Sequence, residues 1–343
     1  LTEPAQSKVA AVSMVMNEAD IIESFIRINS HWANHFFIAD NDSCDNTAYI
    51  LDKLCDEGFP ITLTRISDVF HRHQEVINAL VNEISHRSEF DFIFPIDADE
   101  FITESHKFLD SLSLITAGQV GRFERTSLVP NDANSMQRLN PLFNGFARPR
   151  SNIHILPKII LSNAMAKTAT IALGNHYATD SSGLRVPEIP LPVTLYHIPV
   201  RSKSQIIAKA VIGSNKLSIN EMRAPGEIFH WDLMADAIRE NRFNLTDDQF
   251  RFMALSYELQ AGSTVQTDVT PISLCPEDHM LKYADPSGVN LPMLLDGFAR
   301  QLCEEFRTER RPTTTTFRKV KSGVGRTLRA ATDWLRRKVR SAP

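Results

Sequence analysis

The feature that most restricts this chain is an alternation near its start, in which short apolar runs are each followed by a polar turn and a stretch with helical spacing. KVAAVSMVM at residues 8–16 is bounded by charge and then by NEAD, which suits a buried strand. It feeds a helix that begins near Ala19 and covers IIESFIRINSHW. HFFIAD at 35–40 runs into NDSCDNT, a turn-and-cap cluster, before the helical pattern AYILDKLCDEG, which Gly58 closes. ITLTRI at 61–66 predicts a third strand, and residues 74–86 a helix on Val76, Ile77, Leu80, Val81 and Ile84. DFIFPI at 91–96 predicts a fourth strand. Strands alternating with helices of this length imply an α/β fold: a mostly parallel central sheet with helices on its faces.

Beyond about residue 120 the alternation loosens. GRFERTSLVP, IHILPKIIL, TATIAL and PVTLYHIPV read as strands between polar loops, with helices returning at 203–213, 232–241 and 246–260. TDDQ from Thr246 places Gln249 three residues after a Thr N-cap, the spacing of a capping box. Residues 262–300 read as loop-rich, RTERRPTTTT at 307–316 as a linker, and no internal repeat is evident. The expected organisation is an α/β domain over 1–235, a helical and loop-rich extension over 236–306, and a basic linker with an amphipathic tail over 307–343.

With 343 residues, 43% hydrophobic and 23% charged, the composition is that of a folded chain and excludes wholesale disorder. No apolar run approaches the roughly 18 residues that span a bilayer. Residues 1–20 lack a basic start followed by an apolar stretch, so no signal peptide is read and the expected compartment is the cytoplasm. Cys44, Cys55, Cys275 and Cys303 are scattered without a C-x-x-C pair, so reduced thiols are expected. The net charge of −4 conceals an asymmetry, because residues 307–343 carry twelve Lys/Arg against two acids. The tail is therefore a separate electrostatic object.

The sharpest chemical feature is FDFIFPIDADEF, an apolar strand that delivers Asp97, Asp99 and Glu100 at its carboxyl end. Ligands bind at that end of open α/β sheets. The D-x-D spacing projects alternate side chains to one side, where carboxylates can grip Mn²⁺ or Mg²⁺, ions that share their shell with substrate phosphates. Such a cation would neutralise a departing diphosphate. Alone the pattern is weak: about one chance match is expected at ordinary Asp usage, and Asp40 and Asp42 form a second. Strand-end caps or solvated groups are the competing assignment. His71 and His73 match no zinc-ligand spacing and read as an exposed loop before a helix. No G-x-G-x-x-G or P-loop pattern is present, which disfavours Rossmann oxidoreductase and P-loop chemistry.

Taken together, DNDSCDNT from Asp40 to Thr47, MNEADIIESFI at 16–26 and PIDADEF at 95–101 resemble the family 2-type bacterial glycosyltransferases of the GT-A fold, over residues 8–105. The resemblance implies that Asn17, Glu18, Asp40 and Asn41 line a nucleotide pocket and that Asp97 and Asp99 hold the metal on a UDP- or GDP-linked sugar donor. Asn41 and Asp42 depart from the commoner DDGS form, which leaves base selectivity open. PKIIL (157–161), GNHYA (174–178) and LYHIPVRSKSQIIAK (195–209) look like downstream blocks of such enzymes. They offer His197, ahead of His176, as a further metal ligand, imidazole suiting Mn²⁺ more than Mg²⁺. Arg201 and Lys209 are read as phosphate-facing charges or as a solvated helix face. Inversion, implied by the same resemblance, requires a general base; Asp180, Glu188 and Glu221 are candidates that no motif separates.

Within FRKVKSGVGRTLRAATDWLRRKVR, Phe317, Val320, Val324, Leu328, Ala331, Leu335 and Val339 recur at helical steps beneath a basic face with Trp334. The stretch 317–340 suits an interfacial helix on an anionic membrane, with a solvated tail or a helix docked on an acidic patch as alternatives. A nucleic-acid partner is not expected from so acidic a remainder. The expected function is metal-dependent transfer of a sugar to a glycan or lipid-linked acceptor in bacterial surface polysaccharide synthesis. Its rivals are a sugar nucleotidyltransferase, for which VSMVMNEAD lacks a basic Gly-rich triphosphate loop, and a non-enzymatic scaffold of the same fold.

Overall fold

The computed structural model describes residues 7–309 except 71, 88, 139, 150–155, 221–228, 258–264, 266 and 286–289. The first half follows the predicted alternation: β1 (Val9–Val15), α1 (Ile22–Asn29), β2 (His35–Asn41), α2 (Thr47–Asp56), β3 (Ile61–Ile66), α3 (His73–Arg87) and β4 (Phe92–Pro95). Then come β5 (Glu100–Phe101), α4 (Ser105–Ser111), β6 (Val120–Ser127), β7 (Val129–Pro130), α5 (Pro141–Asn144), β8 (Phe146–Pro149), β9 (Lys158–Ser162) and α6 (Asn163–Ala166). The chain continues through β10 (Thr170–Ile171), β11 (Ala178–Thr179), β12 (Glu188–His197), α7 (Lys203–Ile219), α8 (Phe229–Glu240), α9 (Asp247–Ser256), β13 (Val269–Ile272) and α10 (Leu291–Glu309).

Eight strands form one sheet in the order β3-β2-β1-β4-β9-β6-β12-β5. β1 pairs in parallel with β2 and β4, β2 with β3, and β6 with β12, whereas β9 and β5 run against their neighbours. The chain thus has the expected α/β architecture, a mostly parallel sheet with flanking helices. Alternate residues divide the core: Ala11, Phe36 and Ile38 pack on one face and Ala10, Val12 and Phe37 on the other, as the two-residue strand period requires. Trp32, Phe94, Phe108 and Phe123 interlock on the first face, with ring centroids 4.8–6.2 Å apart. Gly121 lets β6 approach closely there, since a Cβ would lie 2.7 Å from Ile115 and Ile160.

The expected loop-rich stretch 262–300 needs correction: it contains β13, paired antiparallel with β8, and the start of α10, which runs on into the first residues of the expected linker and ends at Glu309. Pro292 and Gly297 disguise that helix. Proline is tolerated in a first turn, and Gly297 sits on Cys44, whose Sγ would be 2.4 Å from a Cβ. Thr246 does form a full capping box with Gln249. No described helix is long and apolar enough to cross a membrane. The stretch 317–340, Glu221 and His71 lie outside the described residues.

Candidate active site

The two polar turns after β1 and β2 are clipped together. Asn17 and Asp42 both take left-handed backbone (φ 59° and 56°), a conformation Asn and Asp tolerate better than most residues. Asn17 N–H donates to Ser43 Oγ at 2.9 Å, Glu18 N–H to Thr47 Oγ1 at 2.8 Å and Ala19 N–H to Asp45 Oδ2 at 3.0 Å. Cys44 N–H returns a bond to Asn17 Oδ1 at 2.9 Å. Most of the DNDSCDNT motif therefore shapes the loop that presents Glu18 and Asp20. Asp40, 2% exposed, accepts from Ser43 N–H, and burial raises its pKa. Asn41 exchanges two bonds with the Asp68 backbone beyond β3.

At the carboxyl end of β4 the two motif aspartates face different partners. Asp99, 4% exposed, receives Lys209 Nζ at 3.0 Å and lies 3.7 Å from Arg201 Nη1 and 3.5 Å from His197 Nε2. β12 brings His197 there because its last residues pair with β5, His197 opposite Glu100. Asp97 turns to Lys158 Nζ at 2.5 Å and to His73 Nε2 at 3.7 Å. Lys158 is fully buried and also reaches Glu100, which bonds Arg125 at 3.1 Å. Burial opposes ionisation of both aspartates, but their partners win: Lys158, with a contact from His73, holds Asp97, and Lys209, with His197 and Arg201, holds Asp99, well below the usual carboxylate range.

Arg201 has no exposed surface. Its fork grips Asp20 at 2.8 and 3.0 Å and also binds Glu18, the bidentate geometry that makes arginine distinct from lysine. Burial pushes the Glu18 carboxyl up to about 7 against the pull of Arg201 and Lys209, and the side chain keeps 17% exposure, enough to meet a ligand. Arg201 and Lys209 are thus not a solvated helix face.

The structure gathers Glu18, Asp97, Asp99, His197, Arg201 and Lys209 at the carboxyl edge of the sheet. Asp180 and Glu188 are not brought there. Asp180 is exposed and caps its own turn, accepting from Ser182 and Leu184. Glu188 pairs with Arg185 at the far end of β12, roughly 30 Å from His197 at strand spacing. His176 lies beside Pro157, bonding its carbonyl at 2.8 Å; burial, with Lys158 and Arg125 nearby, lowers its pKa to about 3. His73, Lys158, Arg125 and Asp20 are site residues that motif spacing did not single out, while Glu100, noted at the strand end with the two aspartates, pairs with Lys158 and Arg125. For His73 the correction is direct: it opens α3 with a 13% exposed side chain facing Asp97, not an exposed loop.

A divalent cation fits one edge of this arrangement. Asp99 Oδ1 and His197 Nε2 stand 3.5 Å apart and offer one hard oxygen and one imidazole nitrogen. Among the described residues no three His, Cys, Asp or Glu side chains gather as a closed metal shell. Among the described residues, Asp20, Asp97, Asp99 and Glu100, with Glu18 titrating near neutrality, face Arg125, Lys158, Arg201 and Lys209 together with the imidazoles of His73 and His197.

No protein-family model and no curated protein matches the chain. Among solved structures it is similar to the mannosyltransferase PcManGT of Pyrobaculum calidifontis, in complex with GDP-Man and Mn²⁺, at 13% identity over 88% of each chain with a TM-score of 0.38. It is also similar to S. aureus TarS 1-349, at 13% identity over 74% of this chain and 76% of that one with a TM-score of 0.36. HddC of Yersinia pseudotuberculosis follows at 9% identity, over 55% of this chain and 92% of that one, with a TM-score of 0.28.

Proposed function

We propose that the chain is a metal-dependent, inverting glycosyltransferase of GT-A type, moving a sugar from a UDP- or GDP-linked donor to a glycan or lipid-linked hydroxyl in bacterial surface polysaccharide synthesis. The observation that carries this reading is the charge pattern at the carboxyl edge of the sheet. Asp20, Asp97, Asp99 and Glu100, with Glu18 titrating near neutrality, leave the four fixed cations without an excess of positive charge for a nucleoside diphosphate, and one divalent cation supplies that excess. Mn²⁺ or Mg²⁺, held by Asp99 and His197 with Asp97 beside them, would supply charge stabilisation to the departing diphosphate.

Arg201 and Lys209 hold Asp99 ionised and rigid, so the site is preorganised before the donor arrives. The acceptor oxygen forms its bond to the anomeric carbon as the bond from that carbon to the diphosphate breaks. The hydroxyl proton leaves to a base on the opposite face, and the nucleoside diphosphate departs with the electron pair. Neither Asp180 nor Glu188 stands in position to be that base. The PKIIL strand contributes Lys158 to Asp97, and His176 of the GNHYA block bonds the Pro157 carbonyl next to Lys158, which supports the same reading.

The test is calorimetric titration of UDP and GDP into the full chain with Mn²⁺ and again with chelator. Tight binding of one nucleotide that requires the ion and is lost in Asp97→Asn/Asp99→Asn supports the proposal, provided the variant melts cooperatively. A chain that binds neither nucleotide under any metal condition is not a UDP- or GDP-sugar transferase and is better described as a scaffold of this fold.

A further inference from the structure

Helix α7 runs along the carboxyl edge of the sheet, and two of its lysines mark the ends of that run. Lys209 reaches Asp99, while Lys216 donates to the Asp68 carbonyl, just beyond β3, at 2.9 Å. Seven helical residues separate them by about 10 Å, a length comparable with that from diphosphate to base in a nucleotide. Lys216 is 2% exposed and forms no ion pair among the described residues; burial lowers its pKa to about 8 against the pull of Asp68 and Asp42.

Gln301, on α10, closes the same corner and is also 2% exposed. Its Nε2 donates to Asn41 Oδ1 at 3.3 Å and to Ser67 Oγ at 3.4 Å, and its Oε1 is buried without a partner. A relay fixes which way the amide points. Asp68 N–H donates to Asn41 Oδ1 at 2.6 Å and Asn41 Nδ2 donates to the Asp68 carbonyl at 3.0 Å, so an oxygen faces Gln301 and only its NH₂ can meet it. The Gln301 carbonyl is therefore turned away from Asn41. The Asp68 carbonyl, shared by Asn41 and Lys216, keeps the ammonium in this corner. Val69, Leu294 and Phe298 supply apolar surface around it.

A buried ammonium with one neutral acceptor and a buried amide oxygen with none are both short of partners. What completes them is an acceptor and a donor side by side. Resting on the donor-cleft reading above, we propose that Lys216 and Gln301 recognise the base of the donor nucleotide. Lys216 donates to an exocyclic carbonyl, and Gln301 Oε1 accepts from the adjacent ring N–H. Uracil and guanine carry that edge, whereas adenine and cytosine place an exocyclic amine where Lys216 needs an oxygen.

The experiment titrates UDP, GDP, ADP, CDP and inorganic pyrophosphate, each with Mn²⁺, into the full chain and its Gln301→Met and Lys216→Met variants, with thermal unfolding of each. The wild type is expected to prefer a uracil or guanine nucleotide. Each variant should bind that nucleotide roughly tenfold more weakly, the scale of one hydrogen bond, with pyrophosphate affinity unchanged. Unchanged nucleotide affinity, which would leave the corner to a structural water, overturns the proposal. So does an equal loss for pyrophosphate, or a gain in affinity, which would make α10 an occupant of the base's place. Should the variants fail to fold, hydrogen exchange of the wild type decides: the preferred nucleotide protects residues 291–301, and no protection overturns the assignment. A wild type that binds pyrophosphate without base preference overturns this proposal alone, whereas one that binds no nucleoside diphosphate at all overturns the donor-cleft reading beneath it.

Discussion

His176 shows how one buried side chain takes its state from its neighbours. Its Nδ1–H is engaged by the Pro157 carbonyl, and burial together with Lys158 and Arg125 keeps the ring neutral down to about pH 3. In the unfolded chain the same ring takes a proton near pH 6.5. The folded pKa is the lower one, so its contribution is complete above pH 6.5 and is lost as pH falls toward 3. Between pH 7 and 5 the expected loss is about 2 kcal/mol. Urea unfolding at both pH values measures it. The His176→Asn variant, which keeps a donor for the Pro157 carbonyl, should show a pH-dependent loss smaller by that amount, whatever its absolute stability. If wild type and variant lose stability equally, the imidazole is protonated in the fold.

The elements that were legible from sequence are those buried on both faces. β1, β2 and β4 are nearly unbroken apolar runs because helices cover both sides of a parallel sheet. The aspartates were legible for the same reason, an apolar strand ending abruptly in acid. Their partners were not: Lys158 lies 61 residues from Asp97 and Arg201 181 from Asp20, distances set by the strand order rather than by any local spacing. α10 was hidden because its glycine answers a tertiary contact. Gly297→Val should therefore cost about 1–3 kcal/mol through overpacking against Cys44, with the loss relieved in a Cys44→Ala background. Additive losses in that double-mutant cycle would mean that the close approach is absent. At α9 the capping box needs no tertiary help, and Thr246→Ala should lower stability by about 1 kcal/mol in denaturant titration without altering nucleotide affinity.

Across the whole molecule, charge and chain order divide the labour. Glu23, with no exposed surface, accepts the N–H groups of Lys282, Tyr283 and Ala284, while Lys282 and Tyr283 also bond Glu57. This ties the strap before α10 across α1 and α2, so α10 reaches the carboxyl edge of the sheet from a fixed point. Beyond Glu309 the character reverses: residues 310–343 hold eleven Lys/Arg and one acid, whereas the chain before them is acidic. We infer that this segment, and not the sheet, carries attraction to anionic lipid, worth about 1 kcal/mol per basic residue near the surface and screened by salt. A chain ending at Glu309 should keep the melting temperature and nucleotide affinity of the full chain but lose sedimentation with phosphatidylserine vesicles. The full chain should bind those vesicles at low salt and release them as salt rises. Equal vesicle binding by both chains would place the lipid contact on the folded body, where the acidic surface gives no reason to expect it, and would remove the tail from any role at the membrane.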